Sequence, residues 1–358
     1  MLITMRGPAF RMIRKQAPTM LLLAAAAFAS ESESRAERGF RHFYNLEYDQ
    51  AIGEFRDEVA GAPDEPDGYN HLAQAILYRR LYHSGILESS LVSGNDMLLS
   101  LIRQPKLVLN SADEEEFRQS LDSSAISARA RLLINPKDDA AMYSLGVTYG
   151  LRANYEFLVR KSWLAAIRAG NEALKLHKHA VELNPSRTDA LLVVGVHDYV
   201  VASLPVGLRI LGAMAGVRGD KERGLKTLQV VAARGHQNRV EAQILLSVLY
   251  RHEARAEQAI PLLNGLLESF PHNYLLHFAK VYTFIELRDE AKALDSLSSL
   301  ETSRAVGVSG YDRILPARIC RARGQIESRL GFSEQARGLR EKATMIGERK
   351  NSNPRSCG

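Results

Sequence analysis

Three groups of histidine and acidic side chains are the parts of this chain whose types and spacing could support metal binding or acid–base chemistry. His177 and His179 lie two positions apart, and at that spacing on a helix they point to different faces, so they cannot hold one metal ion together. His197 and Asp198 are adjacent, and adjacent residues on a helix do not face each other. We therefore predict that this pair is polar lining of a groove rather than a catalytic dyad. The third group, Glu114–Glu116, is a run of like charges and is typical of a solvated helix face.

Motifs for phosphate, acyl or zinc chemistry do not occur in the sequence. The stretch from Gly216 to Lys221 lacks the glycine spacing and the hydroxyl residue of a phosphate-binding loop. A Gly-x-Ser-x-Gly nucleophile elbow is absent, and so is the Cys/His spacing of a zinc site. These observations predict a protein that is not an enzyme and that has no cofactor and no metal.

The elements that would position these residues are helices, because the chain contains a recurring helical hairpin pattern. Its clearest copy is Met142-x-x-Leu145-Gly146-x-x-Tyr149, which follows a turn at Pro136. Small residues are needed where the two helices of a hairpin cross closely, and proline ends a helix and presets the turn. One hairpin cannot bury its apolar face alone, so hairpins of this kind must stack.

This pattern resembles the tetratricopeptide repeat, a helix–turn–helix unit of about 34 residues. The second-helix half of the repeat recurs three times, at Ala51, Phe55 and Pro63, at Ala173, His177, Ala180 and Pro185, and at Ala259, Leu263, Leu266 and Pro271. The resemblance covers residues 35–346. It implies an all-α fold, a right-handed superhelical α-solenoid of about five to six irregular helix–turn–helix units.

The spacing between the turn prolines departs from this period. Pro63, Pro136, Pro185 and Pro271 are separated by 73, 49 and 86 residues, which exceed whole periods by 5, 15 and 18 residues. The excess predicts longer helices or inserted loops in some units.

Residues 190–217 form the most apolar stretch beyond the N-terminus. Their number would suffice for a membrane span, but Pro205, Arg209 and the His197–Asp198 pair argue against one. We expect instead two buried helices that are broken at Pro205, then a turn over 212–219 and a new hairpin that begins at Lys221.

Two further resemblances concern function. The segment 195–250 looks like part of the eukaryotic inclusion-body-clearance family, the tetratricopeptide repeat protein 39 group, which implies shared architecture more than a shared role. The repeat pattern is also similar to the secreted helical subunits that accompany bacterial tripartite solute transporters. That likeness implies a small organic solute or a partner binding protein as the ligand.

The N-terminus has the three parts of a secretory signal peptide. Basic residues, an apolar stretch from Met20 to Phe28 and small residues before Ser30 follow one another. We predict a signal peptide over 1–29, a helical repeat domain over 30–346 and a disordered polar tail over 347–358, with export to the periplasm or the medium. An uncleaved leader that anchors the N-terminus in a membrane stays open as the alternative, although its apolar stretch is shorter than the ~20 residues that a span needs.

Charge and cysteine content bear on the partners and the compartment. The leader contains four basic and no acidic residues, and removing these four charges from the net charge of +6 leaves +2. The mature chain therefore lacks the strong basicity of a nucleic-acid-binding protein, and we predict no nucleic-acid partner. In an oxidising compartment Cys320 and Cys357 could pair, but we favour an unpaired Cys320 that packs inside the last hairpin.

The resemblance also implies where a ligand would bind. In tetratricopeptide repeats, first-helix residues at repeat positions 2, 5, 9 and 12 line a concave groove. On this chain the candidate groove residues are Asn70, Gln74, Tyr78, Tyr143, Val147, Leu192, Val196, Tyr199, Ile244, Val248, Arg251 and Lys280. We expect the groove to be polar at its start, apolar in its middle and basic toward its end.

These features together predict an exported scaffold that binds a protein or peptide partner and does no chemistry. The alternative is a periplasmic accessory or carrier protein, of the transporter-associated type, for an apolar small ligand or solute. An open trough at Tyr143, Leu192, Val196 and Tyr199 would favour the peptide, and an enclosed cavity would favour the small ligand. No membrane span is predicted in the mature chain.

Overall fold

A computed structural model describes residues 33–88, 105–214 and 218–331 together with 335, 337–339, 341 and 342. The chain divides into two units, Met1–Glu33 and Ser34–Gly358, and the architecture below is that of the second. The predicted signal peptide and the predicted tail over 347–358 lie outside the described residues. Within those residues there is no strand, and no helix is both long and apolar enough to cross a membrane.

Helices account for most of the described residues. In chain order they are α1 (Arg35–Tyr44), α2 (Tyr48–Gly61), α3 (Pro66–His83), α4 (Ser111–Ile134), α5 (Asp139–Tyr155), α6 (Trp163–Leu183), α7 (Leu191–Ser203), α8 (Val206–Met214), α9 (Lys221–Arg234), α10 (Arg239–His252), α11 (Ala256–Ser269), α12 (Tyr274–Glu286), α13 (Glu290–Ala305) and α14 (Pro316–Arg329). Each helix packs mainly on its neighbours in sequence, apart from the short α8, since α7 packs directly on α9. The expectation of an all-α chain of sequentially packed hairpins is confirmed at this level.

Local sequence explains where many of these helices begin. Ser34 and Glu37 form a reciprocal capping box at the start of α1. The side chains of Asn110, Asp138 and Asp220 accept backbone N–H groups at the starts of α4, α5 and α9. Proline occupies the first position of α3 and α14, where its missing N–H costs nothing.

The two helices of a hairpin cross at a glycine of the first helix. A Cβ on Gly39 would lie 2.3 Å from the ring of Phe55, one on Gly146 3.0 Å from the ring of His177, and one on Gly195 3.0 Å from Leu228. These partners lie 16, 31 and 33 residues further along the chain. The same crossing is therefore kept although the second and third of these hairpins contain about one half-period more chain.

The extra chain of the α7–α9 hairpin lies mainly in the connection between its first and second helix, which we call the hairpin tip. In the α5–α6 hairpin most of it lies in longer helices instead. Three tips are only three residues long, at 45–47, 253–255 and 287–289, whereas three consecutive hairpins have the tips 84–110, 156–162 and 204–220. The last of these contains α8. Lys221 therefore begins the second helix of the α7 hairpin and not a new hairpin, so that expectation was wrong.

The break at Pro205 is confirmed, but the two helices it separates are not both buried. In α8 the side chains of Val206 and Ile210 are 61% and 56% exposed. These two side chains line one open surface cavity together with Val201 and Gly219, so the apolar character of this stretch does not reflect complete burial.

The short tips share one backbone conformation. Their middle residues, Leu46, Ala254 and Arg288, all have positive φ angles of 56–63°. In each tip the next N–H donates to a carbonyl five residues earlier, as for Arg255 N to Tyr250 O at 2.7 Å. This is the Schellman arrangement that ends a helix and starts a reversal.

Cys320 is fully buried in α14, as expected, but it is disulfide-bonded. The favoured unpaired thiol was therefore wrong. The other cysteine of the sequence, Cys357, lies outside the described residues.

Candidate functional site on the inner face

The structure places all twelve candidate groove residues on the first helices of hairpins, namely α3, α5, α7, α10 and α12. We call the sides of these helices that contain the twelve residues the inner face. Asn70, Tyr143, Tyr199, Val248 and Arg251 are buried, and the other seven are partly exposed.

Asn70 links two first helices. Its side-chain amide donates to the carbonyl of Ser144 at 2.9 Å and its oxygen accepts from the Thr148 hydroxyl at 2.9 Å. Because the residue is 2% exposed, both polar ends of the amide are used inside the protein. It positions α3 on α5 and presents no free group to a partner.

Tyr143 is likewise held by its surroundings. Asn238 donates to its hydroxyl at 3.0 Å, and the guanidinium of Arg187 lies 5.7 Å from its ring centre. Burial raises the pKa of Tyr143, so the phenol stays neutral. Tyr143 therefore links α5 to two connections between helices, 184–190 through Arg187 and 235–238 through Asn238.

Tyr199 belongs to a polar cluster that could be mistaken for an acid–base site. Its hydroxyl donates to Glu253 at 2.7 Å and lies 3.0 Å from Nδ1 of His252, and Lys221 donates to the same Glu253 oxygen at 2.6 Å. Burial opposes ionisation of Glu253, but these hydrogen bonds outweigh it and lower its pKa to about 2. Burial and Glu253 raise the pKa of Tyr199.

A tyrosine with a raised pKa that is 5% exposed can neither reach a substrate nor exchange a proton readily at neutral pH. The cluster instead ties together the end of α7, the start of α9 and the end of α10.

Arg251 does not make the end of the inner face basic. Its guanidinium forms a bidentate pair with Glu286 at 2.6 and 2.9 Å, and its side chain is buried. The expected basic end of the groove is therefore wrong at this residue, because the charge is neutralised within the protein. Lys280 is partly exposed.

The first hairpin contacts the late hairpins directly. Asn273 donates to the carbonyl of Tyr44 at 2.7 Å, the N–H of His272 donates to Asn45 at 3.0 Å, and Arg313 donates to the carbonyl of Leu46 at 3.1 Å. We call this set the closure contact.

Glu47 adds two imidazoles to the closure contact. One carboxylate oxygen lies 2.6 Å from Nδ1 of His42 and the other 2.7 Å from Nδ1 of His272. Burial opposes ionisation of Glu47, but the two histidines outweigh it and lower its pKa. Beside it, the hydroxyl of Tyr274 donates to Tyr82 at 3.2 Å.

The inner face is also bridged between α3 and α10. The hydroxyl of Tyr78 donates to Glu241 at 3.0 Å across 163 residues of sequence. Burial raises the pKa of Glu241, and the hydrogen bond from Tyr78 only partly opposes this. No ion pair to Glu241 occurs among the described residues, and its side chain is partly exposed.

The sequence analysis did not include Glu241 among the groove residues, although the repeat spacing places it there. It precedes Ile244 by three residues, the distance between repeat positions 2 and 5, and so falls on the same stripe as Ile244, Val248 and Arg251. An acid in the first turn of a helix is ordinarily explained by the helix dipole, which conceals a residue of the inner face.

The other candidate groups are structural. Asp198 forms a bidentate pair with Arg223 at 2.6 and 2.8 Å, while Nδ1 of His197 is 4.0 Å from Asp198, too far for a hydrogen bond. Glu116 pairs with Arg56 at 2.7 Å. The acidic run is therefore more than a solvated face, since it fastens α4 to α2.

Within the described residues no group of three or more His, Cys, Asp or Glu side chains could hold a metal ion. Comparison with protein-family models and with curated proteins gives no match for this chain.

Proposed function

We propose that this chain is an exported, non-catalytic binding protein of the tetratricopeptide type, a right-handed superhelical α-solenoid that acts as a scaffold for a protein partner. The observation that carries the proposal is the recurrence of one hairpin geometry, with a close glycine crossing in three hairpins and the same short tip in three. Stacked hairpins of this kind provide extended binding surfaces. The three-part leader and the disulfide-bonded Cys320 support export.

The contacts of the inner face limit what such a partner can reach. Five of the twelve candidate residues are buried by contacts within the chain, so a peptide would meet mainly the partly exposed ones. Gln74, Val147 and Lys280 are the clearest of these. We therefore expect partner contact at these residues.

Site-specific photo-crosslinking tests the scaffold proposal in cells that express the full chain. A photoreactive residue at Gln74 or Lys280 should give a discrete protein adduct, whereas one at Lys175, on an exposed surface of α6, should not. Equal labelling at all three positions, or no adduct at the inner face, would contradict a partner bound there.

A second candidate is a carrier for a small ligand, and Glu241 favours it. The closure contact and the Tyr78–Glu241 bridge place residues from early and late hairpins opposite one another, and an acid without a cationic partner lies between them. A ligand with an apolar body and one cationic or hydrogen-bond-donating group fits this arrangement. Val147 and Ile244 offer the apolar contacts.

Native mass spectrometry before and after organic extraction tests the carrier proposal. The wild-type protein should show a bound mass that Glu241→Gln loses, while Glu54→Gln, which changes a carboxylate on a second helix, α2, that pairs with Arg38, should retain it. A bound mass that is insensitive to Glu241→Gln would place the ligand elsewhere, and an unliganded wild type would end the proposal.

A further inference from the structure

Two neighbouring enlarged tips expose apolar side chains at one end of the hairpins. Trp163, Leu164 and Ile167 lie in the first turns of α6, and Val206 and Ile210 lie on α8. All five are between 45% and 61% exposed. We call these five residues the tip patch.

Chain topology brings the two halves of the tip patch to the same end. α6 and α7 pack on one another and are joined by the short connection 184–190, so they run antiparallel. The start of α6 therefore lies at the end where α7 stops and α8 begins. Val206 and Ile210 of α8 line one surface cavity together with Val201 at the end of α7.

Basic residues predominate over acidic ones at the tip patch. No acidic residue occurs from Phe157 to Asn171 or from Tyr199 to Gly219. The same two segments contain four exposed arginines, Arg160, Arg168, Arg209 and Arg218. The acids that border these segments are engaged elsewhere or unpaired with these arginines: Asp198 pairs with Arg223, Glu172 lies beside Lys175, and Asp220 caps α9. The surface is thus apolar with a basic excess, and among the described residues no carboxylate forms an ion pair with the four arginines.

Trp163 packs against a neighbouring aromatic ring. The ring of Trp163 meets that of Phe157 edge to face at 5.0 Å, and Nζ of Lys161 lies 5.6 Å from the centre of the Phe157 ring. That ammonium is buried and has no hydrogen-bond partner among the described residues, so the basic rim of the patch consists of the exposed arginines. Tryptophan beside aliphatic residues with a basic rim is the composition of elements that lie in the interface of a bilayer.

We propose that the tip patch docks on the surface of a membrane that contains anionic phospholipids. Apolar side chains enter the headgroup boundary, and the arginines attract lipid phosphates, whose charge complements theirs. The proposal is independent of the proposed scaffold function, and it requires no membrane-spanning helix.

The single tryptophan of the chain makes the docking directly measurable. The chain from Ser30 onward, which contains the whole compact unit from Ser34, is mixed with vesicles of phosphatidylcholine alone or with added phosphatidylglycerol. We expect the Trp163 emission to shift to the blue and the protein to sediment only with the anionic vesicles.

Variants locate the contact. Ile210→Glu should weaken vesicle binding about tenfold, and Arg209→Gln should weaken it about fivefold. Ile134→Glu changes a residue on α4 that is 87% exposed and lies at the opposite end of its hairpin, so it should bind as the wild type does.

Three results would overturn the proposal. They are no binding of the wild type to anionic vesicles, equal binding to both kinds of vesicle, and equal losses in Ile210→Glu and Ile134→Glu. A protein that crosslinks to position 210 in place of lipid would assign the patch to a protein partner.

Discussion

The position that faces the crossing glycine shows how one structural role is filled by different residues. It is Phe55 in the first hairpin, His177 in the third and Leu228 in the fourth. His177 is 1% exposed, and neither ring nitrogen has a hydrogen-bond partner among the described residues. Burial lowers the pKa of His177 to about 4. The imidazole therefore serves as a neutral packing group, which is costly for a polar ring.

This burial predicts acid sensitivity. Because the folded-state pKa of His177 lies below the unfolded value of about 6.5, the unfolded state gains the proton first, and stability falls as the pH drops from about 6.5 to 4. In His177→Leu the loss of stability over this pH range should be smaller than in the wild type by about 3 kcal/mol. Urea unfolding at several pH values measures it, and His179→Leu, an exposed neighbour on α6, should keep the wild-type pH dependence. If the stability of His177→Leu fell with pH as steeply as that of the wild type, this account would be contradicted.

Gly39 tests the crossing itself. A Cβ there would meet the Phe55 ring at 2.3 Å, so Gly39→Ala should destabilise the protein by about 1–3 kcal/mol. Gly53, on α2 of the same hairpin, has no atom within 4 Å of its built Cβ, so Gly53→Ala should instead stabilise by about 0.5–1 kcal/mol. The denaturant midpoints of the two variants measure these changes. If both variants changed stability in the same direction, a steric crossing at Gly39 would be contradicted.

At the scale of elements, the sequence predicts hairpins better than it predicts their tips. Gly39, Gly146 and Gly195 mark crossings because only a small residue fits there, and Pro205 marks a helix break. An excess over the repeat period does not reveal which helix or connection contains the extra residues, and Lys221 was assigned to the wrong hairpin for that reason.

The short tips were hidden for a different reason. Leu46, Ala254 and Arg288 adopt a left-handed conformation for which glycine or asparagine is the usual signal. Ala254→Gly should therefore stabilise the protein by about 1 kcal/mol, whereas Ala166→Gly inside α6 should destabilise it by a similar amount. Thermal unfolding of both variants checks the prediction. A loss of stability in Ala254→Gly would mean that the tip is not strained.

At the scale of the molecule, the closure contact is the feature that no local pattern could predict. It joins residues 227 to 267 positions apart, and the repeat signature describes only contacts between neighbouring units. Contacts between segments distant in sequence also bury Asn70 and Tyr143, which the repeat signature places among groove residues. A simple stack couples nearest neighbours only, so closure should make the two ends of the array unfold together.

Asn273 allows this coupling to be tested with little damage to its own helix. Its oxygen accepts from Leu275 and Leu276 at the start of α12, while its amide donates to Tyr44. Asn273→Asp keeps the acceptor and removes the donor, and Arg313→Gln removes the donor to Leu46. The double variant should lose hydrogen-exchange protection at 42–48 and 270–276 together and show a larger radius of gyration in small-angle scattering.

The cap of α13 provides the matched control. Asp289 accepts from the Lys292 N–H and lies outside the closure contact, so Asp289→Asn should leave both segments and the radius unchanged. Protection lost at 270–276 alone would show that the ends are not coupled. Coupled loss, with α5 and α6 still protected, would show that the early and late hairpins stabilise each other across the inner face, as retention of a small ligand between them requires.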